Sequence, residues 1–222
     1  MRNLIVFYKK GNMKVLGNIS NEGYVCTIYE DEDGRVYFTA DADIDADGAN
    51  GQNGKQPAYT VNDSGSEFLA NGGMKIINSK VICAKSWARS IVILDSDNEP
   101  KVFPNGIIAS MTWYRHRGKS IDDPTAYVDA ETVPYIVVPP LVVQKTKGIV
   151  RGCRARVTYN GNSVDCVVAD RGPKNRIGEL SIAAARALGI PSSPRHGGLT
   201  TPNVFYELWP GQAAEGYELQ SA

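Results

Sequence analysis

The sequence predicts a mainly β protein, a barrel or sandwich carrying one small helical insert. Three observations lead there. Short runs rich in β-branched and aromatic residues recur along the chain, separated by Gly/Asn/Asp clusters such as KKGN, SNEG and DEDG. Glycine (22) and proline (12) are frequent in the 222 residues, as a fold with many turns requires. Only one segment, SIAAARAL, has the alanine and leucine density of a good helix former.

Taken in order, the runs Asn3–Lys9, Lys14–Ser20, Tyr24–Glu30 and Arg35–Thr39 read as strands joined by tight turns, that is, as hairpins. Residues 48–73 are rich in Gly, Asn, Gln and Ser without an apolar period, and predict a long loop. Strands resume at Met74–Ile77, Ser90–Leu94, Gly106–Trp113, Tyr135–Val138, Ala155–Tyr159 and Val164–Ala169. Pro134 and Pro139 bracket the fourth of these, which suits an edge or barrel-rim strand. The helix is predicted at Leu180–Leu188, with Ser181 as N-cap, Gly189 as its stop and Pro191 forbidding continuation. Asn203–Leu208 is the closing strand. The chain divides into an N-terminal β-hairpin extension (1–33), a β-barrel domain (34–211) and a polar tail (212–222).

Lys+Arg and Asp+Glu are both 24, so the formal charge is zero. Such a balance argues against a general nucleic-acid or membrane-surface binder, which needs a cationic excess. The zero is a sum of unlike parts. Glu30, Asp31, Glu32, Asp33, Asp41, Asp43, Asp45 and Asp47 face Arg35 alone, whereas residues 145–195 carry a basic excess. The opening apolar run, Leu4 to Tyr8, is shorter than a secretory core of roughly 7–15 residues. The expectation is a cytoplasmic protein or one released by lysis, secretion requiring an upstream signal already removed. Cys26, Cys83, Cys153 and Cys166 form no Cys-x-x-Cys pair and predict buried thiols rather than a zinc site.

Three segments carry candidate chemistry. In TADADIDADGANG, Asp43, Asp45, Asp47 and Gly48 match the opening of a calcium loop, but the twelfth position is Gly54 where a bidentate Glu belongs. The same alternation puts Asp41, Asp43, Asp45 and Asp47 on one face of a strand, either as a solvated acidic edge or as a groove for a cationic ligand. In VVADRGPKNRIGELSIAAARALG, Asp170 ends a strand and Glu179 precedes the helix across one short basic loop. Glycoside hydrolysis needs such a pair of carboxyl groups. The structural alternative has Glu179 capping the helix and Asp170 paired with Arg171 or Arg176. In AYVDAETVPYIVVPP, Asp129 and Glu131 stand just before a strand, facing a cleft or serving structure. Trp87, Trp113, Trp209 and eleven tyrosines suit either sugar stacking or core packing. His116 and His196 have no spacing that suggests a metal or a triad.

Together, IDADG (Ile44–Gly48), YVDAETVPYIVVP (Tyr127–Pro139), ADRGPKNRIGELSIAAARALGI (Ala169–Ile190), SPRHGG (Ser193–Gly198) and VFYELWPG (Val204–Gly211) resemble the family 75 chitosanases. The resemblance runs from about residue 36 to 211. The DRGP…IGELS core also resembles rare-lipoprotein-A type lytic transglycosylases. These likenesses imply a six-stranded double-psi β-barrel with one short helix after the DRGP loop. They further imply inverting endo-hydrolysis of the β-1,4-linked glucosamine polymer chitosan, with no cofactor. Asp170 and Glu179 would be the catalytic pair, Glu179 as general acid and Asp170 as general base. Asp43, Asp45, Asp47, Asp129 and Glu131 would bind the substrate. Two features depart from the pattern: Ala46 stands where fungal members carry cysteine, and Lys174 and Arg176 would repel a polycation. A helix N-terminus at Glu179 would also favour its ionised form, against an acid's need. The alternatives are a peptidoglycan-cleaving lysozyme or lytic transglycosylase, and a non-catalytic carbohydrate-binding barrel.

Overall fold

A computed structural model describes residues 13–21 and 23–221; the strand predicted at Asn3–Lys9 lies outside them. The chain begins with the hairpin β1 (Lys14–Asn21) and β2 (Tyr24–Glu30), then enters β3 (Val36–Asp45). A long insertion carries the short strands β4 (Tyr59–Thr60), β5 (Met74–Ile77), β6 (Lys80–Cys83), β7 (Val102–Phe103) and β8 (Ile107–Ile108). There follow β9 (Tyr135–Val138), helix α1 (Pro140–Lys145), β10 (Cys153–Tyr159), β11 (Asn162–Arg171), β12 (Glu179–Ser181), helix α2 (Ile182–Leu188) and β13 (Leu199–Ala213).

Six strands close into a ring in the order β3-β12-β9-β11-β10-β13, and β13 pairs back onto β3. The ring is mixed: β9–β11 and β3–β12 are parallel, and the remaining pairs are antiparallel. The protein is thus mainly β, with the N-terminal hairpin outside the ring and joined to it through β2–β3.

Alternation explains the ring's interior. Val36, Phe38, Ala40 and Ala42 of β3 are buried, and so are Val204, Tyr206 and Leu208 of β13. Phe38 and Tyr206 are cross-strand partners whose rings stack at 4.9 Å. All four residues of β9 are buried, because it runs between β12 and β11. This corrects the edge assignment suggested by Pro134 and Pro139. The prolines lie just outside the ladder, so they cost it no hydrogen bond.

Other boundaries shift for similar reasons. Ser90–Leu94 forms no strand; a 3₁₀ turn at Ser86–Ser90 leads into isolated bridges, Val92 with Ser110 and Leu94 with Pro100. Only Ile107–Ile108 of the predicted Gly106–Trp113 strand pairs in a ladder. These apolar runs report burial rather than pairing: Val92, Ile93 and Ala109 are all buried. Residues 48–73 form an ordered loop that includes β4 and a 3₁₀ turn at Gln52–Gly54.

The predicted helix loses its first residues to β12. Ser181 is the N-cap, its Oγ accepting from Ala184 N–H at 3.1 Å, and Gly189 ends the helix in the left-handed region. The same hydroxyl accepts from Tyr135 N–H and donates to Val133 O, joining helix, β9 and β12. Ser181 is fully buried. Ser181→Ala leaves three polar groups short of a partner and is expected to lower stability by about 2 kcal/mol in urea unfolding.

The four cysteines are unbridged, and burial pushes the thiols of Cys26 and Cys153 up to about 12 and about 11. They are poor nucleophiles there. Among the described residues, no helix is long and apolar enough to cross a membrane.

Candidate active site

Register brings the sequence's two carboxylates together. Val137 of β9 pairs with Asp170 of β11 on one side and with Glu179 of β12 on the other. Glu179 in turn pairs with Asp43 of β3. Asp170, Val137, Glu179 and Asp43 therefore form one row across four adjacent strands, and all four line the same cleft of about 830 Å³. A bulge in β11 between Val168 and Asp170 sets this register. Without it, Ala169 would stand beside Val137 and the acid would turn to the other face.

Asp170 is held rigidly. Its Oδ1 accepts from Trp113 N–H at 2.9 Å and from Arg171 N–H at 2.7 Å, and its carboxyl lies beside that of Asp45, with oxygens within 4.8 Å. Burial, then the Asp45 charge, raise the Asp170 pKa to about 8. Glu179 sits in β12, three residues before the first helical residue. It does not cap the helix, a role that Ser181 fills. Burial, followed by the charges of Asp45 and Asp170, raises its pKa well above the ordinary value. Asp170 forms no ion pair with Arg171 or Arg176.

The acidic face of β3 divides among three tasks. Asp41 is structural: Oδ1 accepts from Asn21 Nδ2 and Tyr24 OH under the N-terminal hairpin. Gly178 (φ +100) packs so closely there that a Cβ would stand 2.4 Å from Asp41 Oδ1. Asp43 is half-exposed and pairs with Arg176 at 3.4 Å, so one of the two cations expected to repel a polycation is already answered. Asp45 and Asp47 are drawn into the cleft, Asp45 Oδ1 accepting from Asp47 N–H at 2.8 Å. Burial raises both pKa values, that of Asp47 strongly, with the charges of Asp45 and Asp170 adding to it.

The calcium-loop pattern of Asp43, Asp45 and Asp47 is not realised, because Asp43 turns to Arg176. A different trio, Asp45, Asp47 and Asp170, offers oxygens within 4.8 Å of one another. Asp45 Oδ2 and Asp47 Oδ1 are buried and unpartnered, so this trio could share protons or hold a hard divalent cation.

Asp129 and Glu131 do not line the cleft. Asp129 closes its own turn, accepting from Glu131 N–H and Thr132 Oγ1, and Glu131 pairs with Arg186 at 2.7 Å. The sequence reading missed Glu67, which reaches the cleft from the long loop. Its Oε1 accepts from Phe68 N–H and Asn71 Nδ2. Burial above all raises its pKa to about 7. Its one sequence signal is an acid set directly before an apolar pair in a polar loop.

Of the tryptophans, Trp113 and Trp209 lie under Arg151 and Arg154, and Trp87 alone of the three lines the cleft. His116 and His196 stack edge-on against Tyr114 and Phe68. Comparison with family models and with curated proteins gives no match to this chain.

Proposed function

We propose that the protein is an inverting glycoside hydrolase that cleaves β-1,4 linkages within chitosan. The observation that carries this reading is the row in which Asp170 and Glu179 flank Val137 on one face. Two strand spacings separate their Cα atoms by roughly 10 Å. Glu179 Oε2 leans across Val137, to 3.4 Å from where a Cβ on Gly172 would stand, so the carboxyl groups come closer than the backbones, towards the roughly 6.5–9.5 Å of inverting enzymes that leaves room for a water beside the sugar. Glu179, kept protonated by burial and by like charges, gives its proton to the leaving oxygen. Asp170 acts in its ionised form: its Oδ1 is held by the Trp113 and Arg171 N–H groups, which leaves Oδ2 to orient and deprotonate the attacking water. No organic cofactor enters these steps.

The ring of six strands with a late helix agrees with the double-psi barrel that the sequence resemblance implies. The cleft presents six acids (Asp43, Asp45, Asp47, Glu67, Asp170 and Glu179) against Arg171 and Arg176, and ammonium groups of a polymer of free amines would favour the ionised form of those that burial keeps protonated. The two arginines favour a second reading, peptidoglycan, whose carboxylates they would meet.

Reducing ends measured after incubation with chitosan, chitin and peptidoglycan separate these readings. The expected order is chitosan far ahead of chitin, with no release from peptidoglycan. Anhydro ends from peptidoglycan would replace this reading with a lytic transglycosylase, and binding without cleavage would leave a carbohydrate-binding barrel. Repeating the assay in EDTA tests the cation: undiminished activity is expected, and its loss would assign a metal to Asp45, Asp47 and Asp170.

A further inference from the structure

The insertion between β3 and β9 supplies a wall of the cleft that the acid–base chemistry does not use. Trp87, Asn71 and Glu67 are on this wall, and all three line the cleft. Trp87 is 48% exposed, an unusual state for the largest apolar side chain. Its environment explains why it stays in place. A Cβ built on Gly73 would lie 2.9 Å from Cη2 and 3.1 Å from both Cζ2 and Cζ3. An approach to the ring edge would leave the two flanking carbons much farther away than the first. The near equality puts Gly73 over the face of the six-membered ring. One face of the indole thus rests on backbone, and only a residue without a side chain, at φ +70, allows that contact.

The support is rigid. Lys85 N–H donates to Gly73 O at 2.9 Å, and Ser90 Oγ donates to Trp87 O at 2.7 Å. The same tight loop carries the polar groups. Glu67 Oε1 accepts from Phe68 N–H and Asn71 Nδ2, and Met74 N–H donates to Leu69 O. Glu67 is 7% exposed and lines the cleft, and both hydrogen bonds to its carboxyl group fall on Oε1. A flat apolar platform, a fixed carboxylate and an amide are the elements that recognise a pyranose bearing an ammonium group. The ring's C–H face covers the indole, and the ammonium meets the Glu67 carboxyl group, whose ionised form its charge favours.

The geometry points to a hexosamine-binding subsite made of Trp87, Glu67 and Asn71, which stacks one glucosamine unit of the polymer away from the cleaved bond and selects its free amine. This rests on the chitosanase reading for the identity of the polymer, whereas the subsite itself is testable without cleavage.

The test is a fluorescence and calorimetric titration of the Glu179→Gln protein with a glucosamine hexamer and a cellohexaose control. Binding of the glucosamine hexamer is expected to shift and quench tryptophan emission. Trp87→Ala should weaken binding about five- to tenfold and remove the emission change. Trp87→Phe should remove the emission change yet keep the affinity within about threefold. Glu67→Gln should erase the preference for the glucosamine hexamer over cellohexaose. Unchanged affinity in Trp87→Ala, or an unchanged preference in Glu67→Gln, overturns the subsite. If the wild-type protein leaves chitosan uncut while Trp87→Ala still loses binding, the catalytic reading fails and the subsite stands.

Discussion

Chitosan hydrolysis is expected to fall about 10²–10⁴-fold in both Asp170→Asn and Glu179→Gln, the span that general acid and base groups contribute. The two losses should differ in kind. Glu179 gives a proton to the leaving oxygen, so its absence matters less when the leaving group needs none. A dinitrophenyl chitobioside should therefore restore much of the activity of Glu179→Gln and little of that of Asp170→Asn. The opposite pattern would exchange the two roles, and near wild-type turnover by either variant on chitosan would remove that residue from the mechanism. The stereochemistry is a separate check. Proton NMR of the first turnover should show α reducing ends, because water enters opposite the departing β-linked sugar. Initial β ends would mean retention, and with it a carboxyl separation near 5 Å.

The row that supports these expectations was partly legible in the sequence. Asp170 and Glu179 stand at the two ends of one short loop, and turn residues with a strand before and a helix after are local signals. The strand between them is not local. That Val137 separates the two acids depends on β9 entering the ring between β11 and β12, and on the bulge before Asp170. No periodicity announces either. The acidic alternation that starts in β3 reads as one face, which holds for the strand's backbone, yet neighbouring elements give its members different work. The N-terminal hairpin covers Asp41, Arg176 takes Asp43, and the ring's edge leaves Asp45 and Asp47 in the cleft. Asp129 and Glu131 look like site residues because they precede a strand, but a turn and Arg186 claim them. Glu67 and the supporting contact of Gly73 with Trp87 were out of reach, since an aperiodic loop gives no clue to what it faces.

A cleft that keeps carboxyl groups protonated should make the fold less stable as pH rises through neutrality. Asp170 (about 8), Glu67 (about 7), Asp47 and Glu179 all have pKa values raised above those of an unfolded chain, roughly 4. Between that value and the folded one, the native state holds protons that the unfolded state has released. Their contribution is complete below pH 4 and is lost as pH climbs through the folded pKa values. Asp165 works in the opposite direction, because Arg156 holds its carboxylate below the ordinary value, but its window lies under pH 4. His116, whose pKa burial lowers, also opposes them and does so between pH 5 and 8, but the four raised carboxyl groups outnumber this one imidazole and decide the sign. Each proton that the native state holds and the unfolded state has released lowers stability by about 1.4 kcal/mol per pH unit. Urea unfolding in the presence of EDTA, which keeps cations from replacing the protons, should give a clearly higher midpoint at pH 5 than at pH 8. Asp47→Asn keeps the shape of the side chain without its titration, and should flatten this dependence by stabilising the protein at pH 8 by about 1–3 kcal/mol. A midpoint that rises towards pH 8, or an Asp47→Asn protein with the wild-type slope, would mean that these carboxyl groups are already ionised in the folded state. The proton that Glu179 must donate would then have no store in this cleft.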